Sequence, residues 1–216
     1  MTDLATEQLR TMILSRQLEP GRRVTQLELA DMLGVSTMPI REAILRLAAE
    51  GFIIASANRS FEVAHTTEQG IRDVYWIHGI LAGELAARAY DNRSDALLAT
   101  LRDEHENYIA AMTAGDSARV TEANRRFHAA INSAAASPTV GVILRNTLHY
   151  FPDFNLQVPG WPELARRWQS RLLEHFANGD ADDLRRVSQE ESRTSGELFI
   201  LAYWSDPDVT AKRALK

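Results

Sequence analysis

Residues 27–54, LELADMLGVSTMPIREAILRLAAEGFII, decide the fold. Leu29, Ala30, Met32 and Leu33 make a short apolar stripe at helical spacing, and Gly34 follows where a left-handed cap ends a helix. Ser36 is placed to cap a second helix through its hydroxyl. Pro39 lies in that helix's first turn, where a missing N–H costs little. Ile40, Ala43, Ile44 and Leu47 carry the period of a buried face and leave Thr37, Met38, Arg41 and Glu42 pointing elsewhere. Gly51 closes the helix, and Phe52, Ile53 and Ile54 begin a strand. Helix, tight turn, helix, then strand is the order in which a winged helix places a helix in a DNA groove. A plain helical hairpin in an all-α protein is the competing reading.

Upstream, residues 6–18 read as an amphipathic first helix with Leu9, Met12, Ile13 and Leu18 on one face, closed by the turn Glu19-Pro20-Gly21. Downstream, residues 53–55 and 61–64 read as two short strands around a small wing at 56–60. Thr66, Thr67 and Glu68 open a long helix, with Glu68 near its positive end. The domain boundary falls between His65 and Gln69, giving a DNA-binding unit over 1–66 and a second domain over 69–216. Helical periodicity in the second domain covers 70–90, 94–113, 117–136, 139–151, 162–178 and 181–204. Gly115-Asp116, Ser137-Pro138 and Gly179-Asp180 break it, and 152–160 is a proline-bearing loop. The predicted fold class is mainly α: an N-terminal winged helix-turn-helix plus a C-terminal antiparallel all-helical bundle.

The 216 residues, 45% of them apolar, suffice for two modest cores. No cysteine occurs, which excludes disulfides, thiolate metal ligands and a cysteine nucleophile. The sequence shows no signal-peptide pattern and no apolar run of membrane-spanning length, so a cytoplasmic protein without a membrane partner is expected. The formal net charge is -5, and residues 1–65 hold 7 Arg against 8 Asp+Glu with no lysine. Attraction to DNA therefore depends on arginines grouped on one face.

The first domain's run LEPGRRVTQLELADMLGVSTMPIREAILRLAAEGFI resembles the GntR family of transcription regulators, in its FadR-like group. It shares that family's Pro-Gly turn, its "ELA…LGVS" helix and turn, and its "P-[VI]-R-E-A-[LI]-x-R-L" recognition helix. The second domain's NRRFHAAI is similar to the "[DN]-x-x-F-H-x-x-[LI]" of the helical ligand-binding domain called FCD. The resemblance implies DNA contacts by Arg41 and Arg23, with Ser36 and Met38 on the same approach and Arg59 reaching out from the wing. Thr37 stands where the family often has an arginine, and Ser60 where the wing often has glycine, so the operator sequence is not inherited from relatives. For Arg41 an internal ion pair, with Glu42 as partner, is the alternative.

Asn124 and His128, four residues apart, share one helix face. In the FCD group an Asp or Asn and a His at this spacing form half of a metal site, completed by two histidines 22 residues apart on later helices. Aligning Gly179-Asp180 with the family's "G-D" puts those positions at Gln169 and Glu191, and neither is histidine. His175 lies six residues beyond Gln169, on another face. The metal set implied here is Asn124, His128 and Glu191, which suits a hard divalent ion held weakly. The alternatives are an organic effector bound directly by His78, Asn124, His128, Gln169 and Glu191, or His128 as a satisfied interior histidine. The direct effector is the favoured reading, with no certain cofactor and with an organic acid as one candidate. His78 stands where the family often has an Arg and would hold a carboxylate more weakly than a guanidinium does. His105 and His149 are single and unsupported, and Trp76, Trp161, Trp168 and Trp204 are expected to pack.

A catalytic metal in the bundle would make an enzyme, as paired Glu-x-x-His helices do elsewhere, but no second carboxylate–histidine motif is present. Nor is there a P-loop, a dinucleotide fingerprint, a Gly-x-Ser-x-Gly elbow or a His-Glu-x-x-His. A protein-interaction module that lacks specific DNA binding is the third class. The expectation is a homodimeric, effector-responsive repressor on a two-fold symmetric operator.

Overall fold

The computed structural model describes residues 2–55, 60–65, 67–147 and 158–204. The described residues divide into two compact units, the first ending at Gly70 and the second beginning at Ile71.

The first unit holds α1 (Thr2–Leu14), β1 (Arg23–Thr25), α2 (Gln26–Leu33), α3 (Thr37–Ala49), β2 (Ile53–Ala55) and β3 (Ser60–Val63). The strands form an antiparallel sheet in the order β1-β3-β2, with Val24 opposite Phe61 and Ile53 opposite Val63. Leu9 and Ile13 of α1 are buried together with Leu29, Ile40, Ile44, Leu47, Phe52 and Val63. Turn and caps form largely as their residues require. Gly34 ends α2 in the left-handed region (φ 65), where glycine carries no Cβ penalty. Thr25 caps α2 by accepting from the Glu28 N–H at 3.2 Å.

Four expectations change in this unit. The first helix runs from Thr2 to Leu14, and Arg16 (φ 61) then turns the chain so that Leu18 reaches the core from outside the helix. Arg23–Thr25 is a strand that the sequence reading passed over. Ser36 is the N-cap of α3, yet its hydroxyl makes no cap bond. The third helical residue is Pro39, which has no N–H to offer it. Met32 is exposed, so the buried stripe of α2 reduces to Leu29 and Ala30. The wing tip, 56–59, lies outside the described residues.

The second unit is all helical: α4 (Glu68–Asp91, its first turn in the first unit), α5 (Asp95–Ala114), α6 (Ser117–Ala134), α7 (Pro138–Thr147), α8 (Trp161–Asn178) and α9 (Ala181–Trp204). Ser94 and Asp116 cap α5 and α6, and Gly115 (φ 68) separates them. Leu85, Leu101, Phe127, Leu172, Phe176 and Leu184 lie in the main core. On α4, Gly79 and Gly83 lie four residues apart and face α9. A Cβ on Gly79 would come within 2.9 Å of the Ser192 Cβ, and one on Gly83 within 3.0 Å of the Arg185 carbonyl oxygen. Gly196 of α9 answers them against the Tyr75 ring, so the two helices cross antiparallel with almost no side chain between them. Ser192 Oγ donates to the Tyr75 carbonyl across this seam at 2.5 Å. Trp168 is buried as expected, whereas Trp76 is 63% exposed. Most of the loop at 152–160 and the end of the helix expected over 139–151 lie outside the described residues.

Candidate functional site

Two groups of residues carry the chemistry, one in each unit. In the first unit, α3 presents Met38, Arg41, Glu42 and Leu45 to solvent at the spacing of a single helix face, with Ser36 and Thr37 exposed at its start. Glu42 accepts the Thr2 hydroxyl at 2.7 Å. Arg41 has no ion-pair partner among the described residues, so the Arg41–Glu42 pair considered from sequence is absent there. Arg46, one turn on, is by contrast bound to Asp3. Arg23 projects from β1 with its side chain 72% exposed and only a loose pairing, 3.7 Å, to Glu62. Arg59 lies outside the described residues. The face of α3 therefore combines the unpaired Arg41 guanidinium with apolar Met38 and Leu45, a surface able to meet phosphates and base edges together.

In the second unit, Gln169 of α8 is bonded to Asn124 of α6, His78 of α4 lies beside His128 of α6, and Glu191 of α9 lies near Arg171 and Tyr108. The α8–α9 pair is antiparallel, and the Arg171–Glu190 bridge (3.1 Å) sets Gln169 and Glu191 at one level. Gln169 is fully buried, and its Nε2 donates to Asn124 Oδ1 at 2.9 Å. Its Oε1 accepts from His105 Nδ1 of α5 at 3.0 Å, and His105 Nε2 in turn meets the Ser170 hydroxyl at 3.1 Å. Because an amide oxygen only accepts, His105 Nδ1 is the donor to Gln169, and Ser170, whose hydroxyl also reaches the Arg166 carbonyl at 3.2 Å, links through His105 and Gln169 to Asn124. His78 Nδ1 lies 2.8 Å from Thr147 Oγ1, whose own proton goes to the Leu144 carbonyl, so His78 is the donor.

Burial, and then the neighbouring His128, hold His78 down to about 4. Burial alone holds His128 down to about 4. Burial pushes the Glu191 carboxyl up to about 8 against the opposing pull of Arg171. Each of these side chains nevertheless keeps some accessible surface, and the polar region they border is the candidate recess of the bundle. His128 and Glu191 have no hydrogen-bond partner among the described residues.

The donor set does not fit the metal that the family resemblance implies. Among the described residues no three His, Asp or Glu side chains group as an ion would require. The amide oxygens of Asn124 and Gln169, hard donors in principle, each already accept one hydrogen bond. His105, read from sequence as unsupported, is corrected here to a member of the central chain. The signal was present: with Leu97, Leu101 and Tyr108 it falls on the buried stripe of α5. His149 lies outside the described residues.

A winged helix with a free arginine-bearing face, joined to a helical bundle with a polar recess, defines a DNA-binding transcription regulator. Residues 2–63 match the bacterial regulatory proteins of the gntR family and residues 73–191 match the FCD domain; the chain belongs to the GntR family, in the group that carries FCD. It is 27% identical over 194 residues to the Nta operon transcriptional regulator of Aminobacter aminovorans, covering 89% of this chain and 85% of that protein. It is 30% identical over 121 residues to the HTH-type transcriptional regulator McbR of Escherichia coli (strain K12), 56% of this chain and 55% of that one. The solved structure of E. coli McbR/YncC superposes with a TM-score of 0.67 at 22% identity, covering 94% of this chain and 98% of that chain. A GntR family member from Pseudomonas syringae pv. tomato str. DC3000 superposes with a TM-score of 0.57 at 21% identity, covering 97% and 88%. At these identities the two structures show the shared fold. The family makes the chain a transcription regulator and not an enzyme. No helix of the described residues is long and apolar enough to cross a membrane.

Proposed function

We propose that this regulator is an effector-responsive repressor of the cytoplasm that binds a two-fold symmetric operator as a homodimer. The observation that carries the DNA reading is the outer face of α3, where Arg41 is exposed and without an ion-pair partner among the described residues. Arg41 and Arg23 are the principal contacts, Ser36, Thr37 and Met38 lie on the approach, and Arg59 acts from the wing. A second copy is supported by an apolar surface on the helical unit. Trp76, Ile77 and Ile80 of α4 and Val142 and Ile143 of α7 are all exposed, on helices joined by the His78–Thr147 and Arg88–Ser137 bonds. Covering such a surface is what a stable dimer does. The recess around Asn124, His128, Gln169, Glu191 and His78 takes a small-molecule effector, which changes operator affinity only through its different affinity for the two states.

The test is selection of operators by the full chain from genomic DNA, followed by titration against salt. The expected result is an inverted-repeat site bound with an affinity that falls linearly in log affinity against log salt, because each phosphate contact releases counterions. Salt-insensitive binding, or recovery of no preferred sequence, overturns the regulator-of-an-operator reading and favours a protein-interaction module.

A further inference from the structure

Resting on the reading of α3 as the helix that meets DNA, we propose that Arg46 is a second phosphate anchor of that helix, on the edge opposite Arg41, and that Asp3 holds its guanidinium in the free protein and surrenders it to the DNA backbone. Ile40, Ala43, Ile44 and Leu47 turn one side of α3 into the core. At about 3.6 residues per turn, Arg41 and Arg46 stand about 140° apart around the axis and about 7.5 Å apart along it. Met38, Glu42 and Leu45, all exposed, fall between them. The outer face is therefore bordered by a guanidinium on each side. A helix in the major groove has base edges before its face and a phosphate backbone at either edge, so the two arginines suit opposite strands.

The pair with Asp3 is suited to exchange. The Arg46 and Asp3 side chains are 53% and 86% exposed, and the bond engages one guanidinium nitrogen, Nη1. A phosphate can accept from two nitrogens and releases counterions as it is covered, whereas an exposed ion pair in water is held weakly. Arg10 gives the contrast within the same unit: its side chain is 5% exposed, bound to Glu7 and Glu50 and set against the Phe52 ring. That arginine is structural. The charge balance gives the exchange its purpose. Residues 1–65 have 7 Arg, 8 Asp+Glu and no lysine. With Arg10 buried and Arg22 bound to Glu28, few cations remain for phosphates unless a paired one is released. Asp3 left in place would also repel the backbone, so the acid restrains binding as well as occupying the arginine.

The experiment uses the full chain with a selected operator fragment and an unrelated duplex. Anisotropy is read across a salt series, and circular dichroism checks the fold of each variant. Asp3→Asn, which keeps the shape and removes the charge, should tighten both complexes roughly threefold. Arg46→Gln should weaken both by roughly fivefold or more and lower the slope of log affinity against log salt by about one for each protomer bound. Both duplexes respond alike because phosphates carry no sequence information. Arg46→Lys keeps the charge and should keep the slope. In the Arg46→Gln background Asp3→Asn should gain less than it does alone. If both single changes lower the melting temperature and the affinity while the salt slope stays put, the pair is a pin between α1 and α3 and the proposal is overturned. A loss confined to the operator marks a base contact and overturns it too. Where Arg46→Gln fails to fold, Asp3→Asn decides alone, and no gain in affinity overturns the proposal. Arg41→Ala separates the two readings: if it costs operator affinity and Arg46→Gln does not, only the second anchor is lost. Binding of neither duplex by the unaltered chain counts against the DNA reading itself and takes the proposal with it.

Discussion

Ser36 stands at the N-cap of α3 with its hydroxyl uncommitted, because Pro39 offers no N–H to it. Replacing an N-cap serine with alanine ordinarily costs about 1 kcal/mol of stability. Here Ser36→Ala should leave the melting temperature within error and weaken operator binding, a pairing that a structural cap would not give. Arg41→Ala should likewise leave the fold intact while costing on the order of 1–3 kcal/mol of operator affinity, read by fluorescence anisotropy. Normal affinity in that variant would remove Arg41 from the interface. The recess residues make a separate prediction through protons. Glu191 in the folded protein, at about 8, keeps a proton that the unfolded chain releases from 4.5 upward, so stability falls as pH rises through that window. His78 and His128, held near 4, refuse protons that the unfolded chain takes up below 6.5, so stability falls as pH drops from there. Glu191→Gln should flatten the alkaline limb of a melting-temperature profile and His128→Gln the acid limb. Unchanged limbs would mean that these groups do not sit in a desolvated recess.

The α4–α9 seam is set by glycines, and its tolerance can be measured. Gly83→Ala places a Cβ 3.0 Å from a backbone carbonyl that cannot move aside, and should cost about 1–3 kcal/mol in denaturant unfolding. Gly141→Ala in α7 meets nothing within 4 Å and should stabilise by about 0.5–1 kcal/mol, since a mid-helix glycine costs entropy. The elements themselves were legible in the sequence to different degrees. The period of Ile40, Ala43, Ile44 and Leu47 located α3 because a buried face repeats over several turns. The strand Arg23–Thr25 is not legible because three residues are too few for their exposed-buried-exposed alternation to stand out. The first helix was drawn too far because Leu18 is buried without being helical; the left-handed Arg16 carries it into the core. At the candidate recess, the family's spacing singles out Asn124, His128, Gln169 and Glu191, and of these the structure bonds Gln169 to Asn124. For His105 the stripe of Leu97, Leu101 and Tyr108 gives its inward face, but its partner Gln169 follows only from the packing of α5 on α8.

For the whole molecule, association is the property that the apolar outer faces of α4 and α7 bear on. Ile77→Arg or Ile143→Asp should give a monomer by light scattering with its helix content kept, and operator affinity should drop with it because two half-sites are no longer read together. A dimer that survives both changes would move the interface elsewhere. The α4 helix gathers three duties: its glycines lie against α9, its His78 borders the recess, and its Trp76, Ile77 and Ile80 face outward. That arrangement limits its degrees of freedom. With backbone against backbone on one side, rolling about the helix axis would swing the flanking Trp76 or Ile80 into α9, whereas sliding along the axis keeps the glycine track facing it. Any displacement that a bound molecule imposes on α4 is thus channelled into translation, and a piston delivers the same stroke to whatever is seated on its outer face.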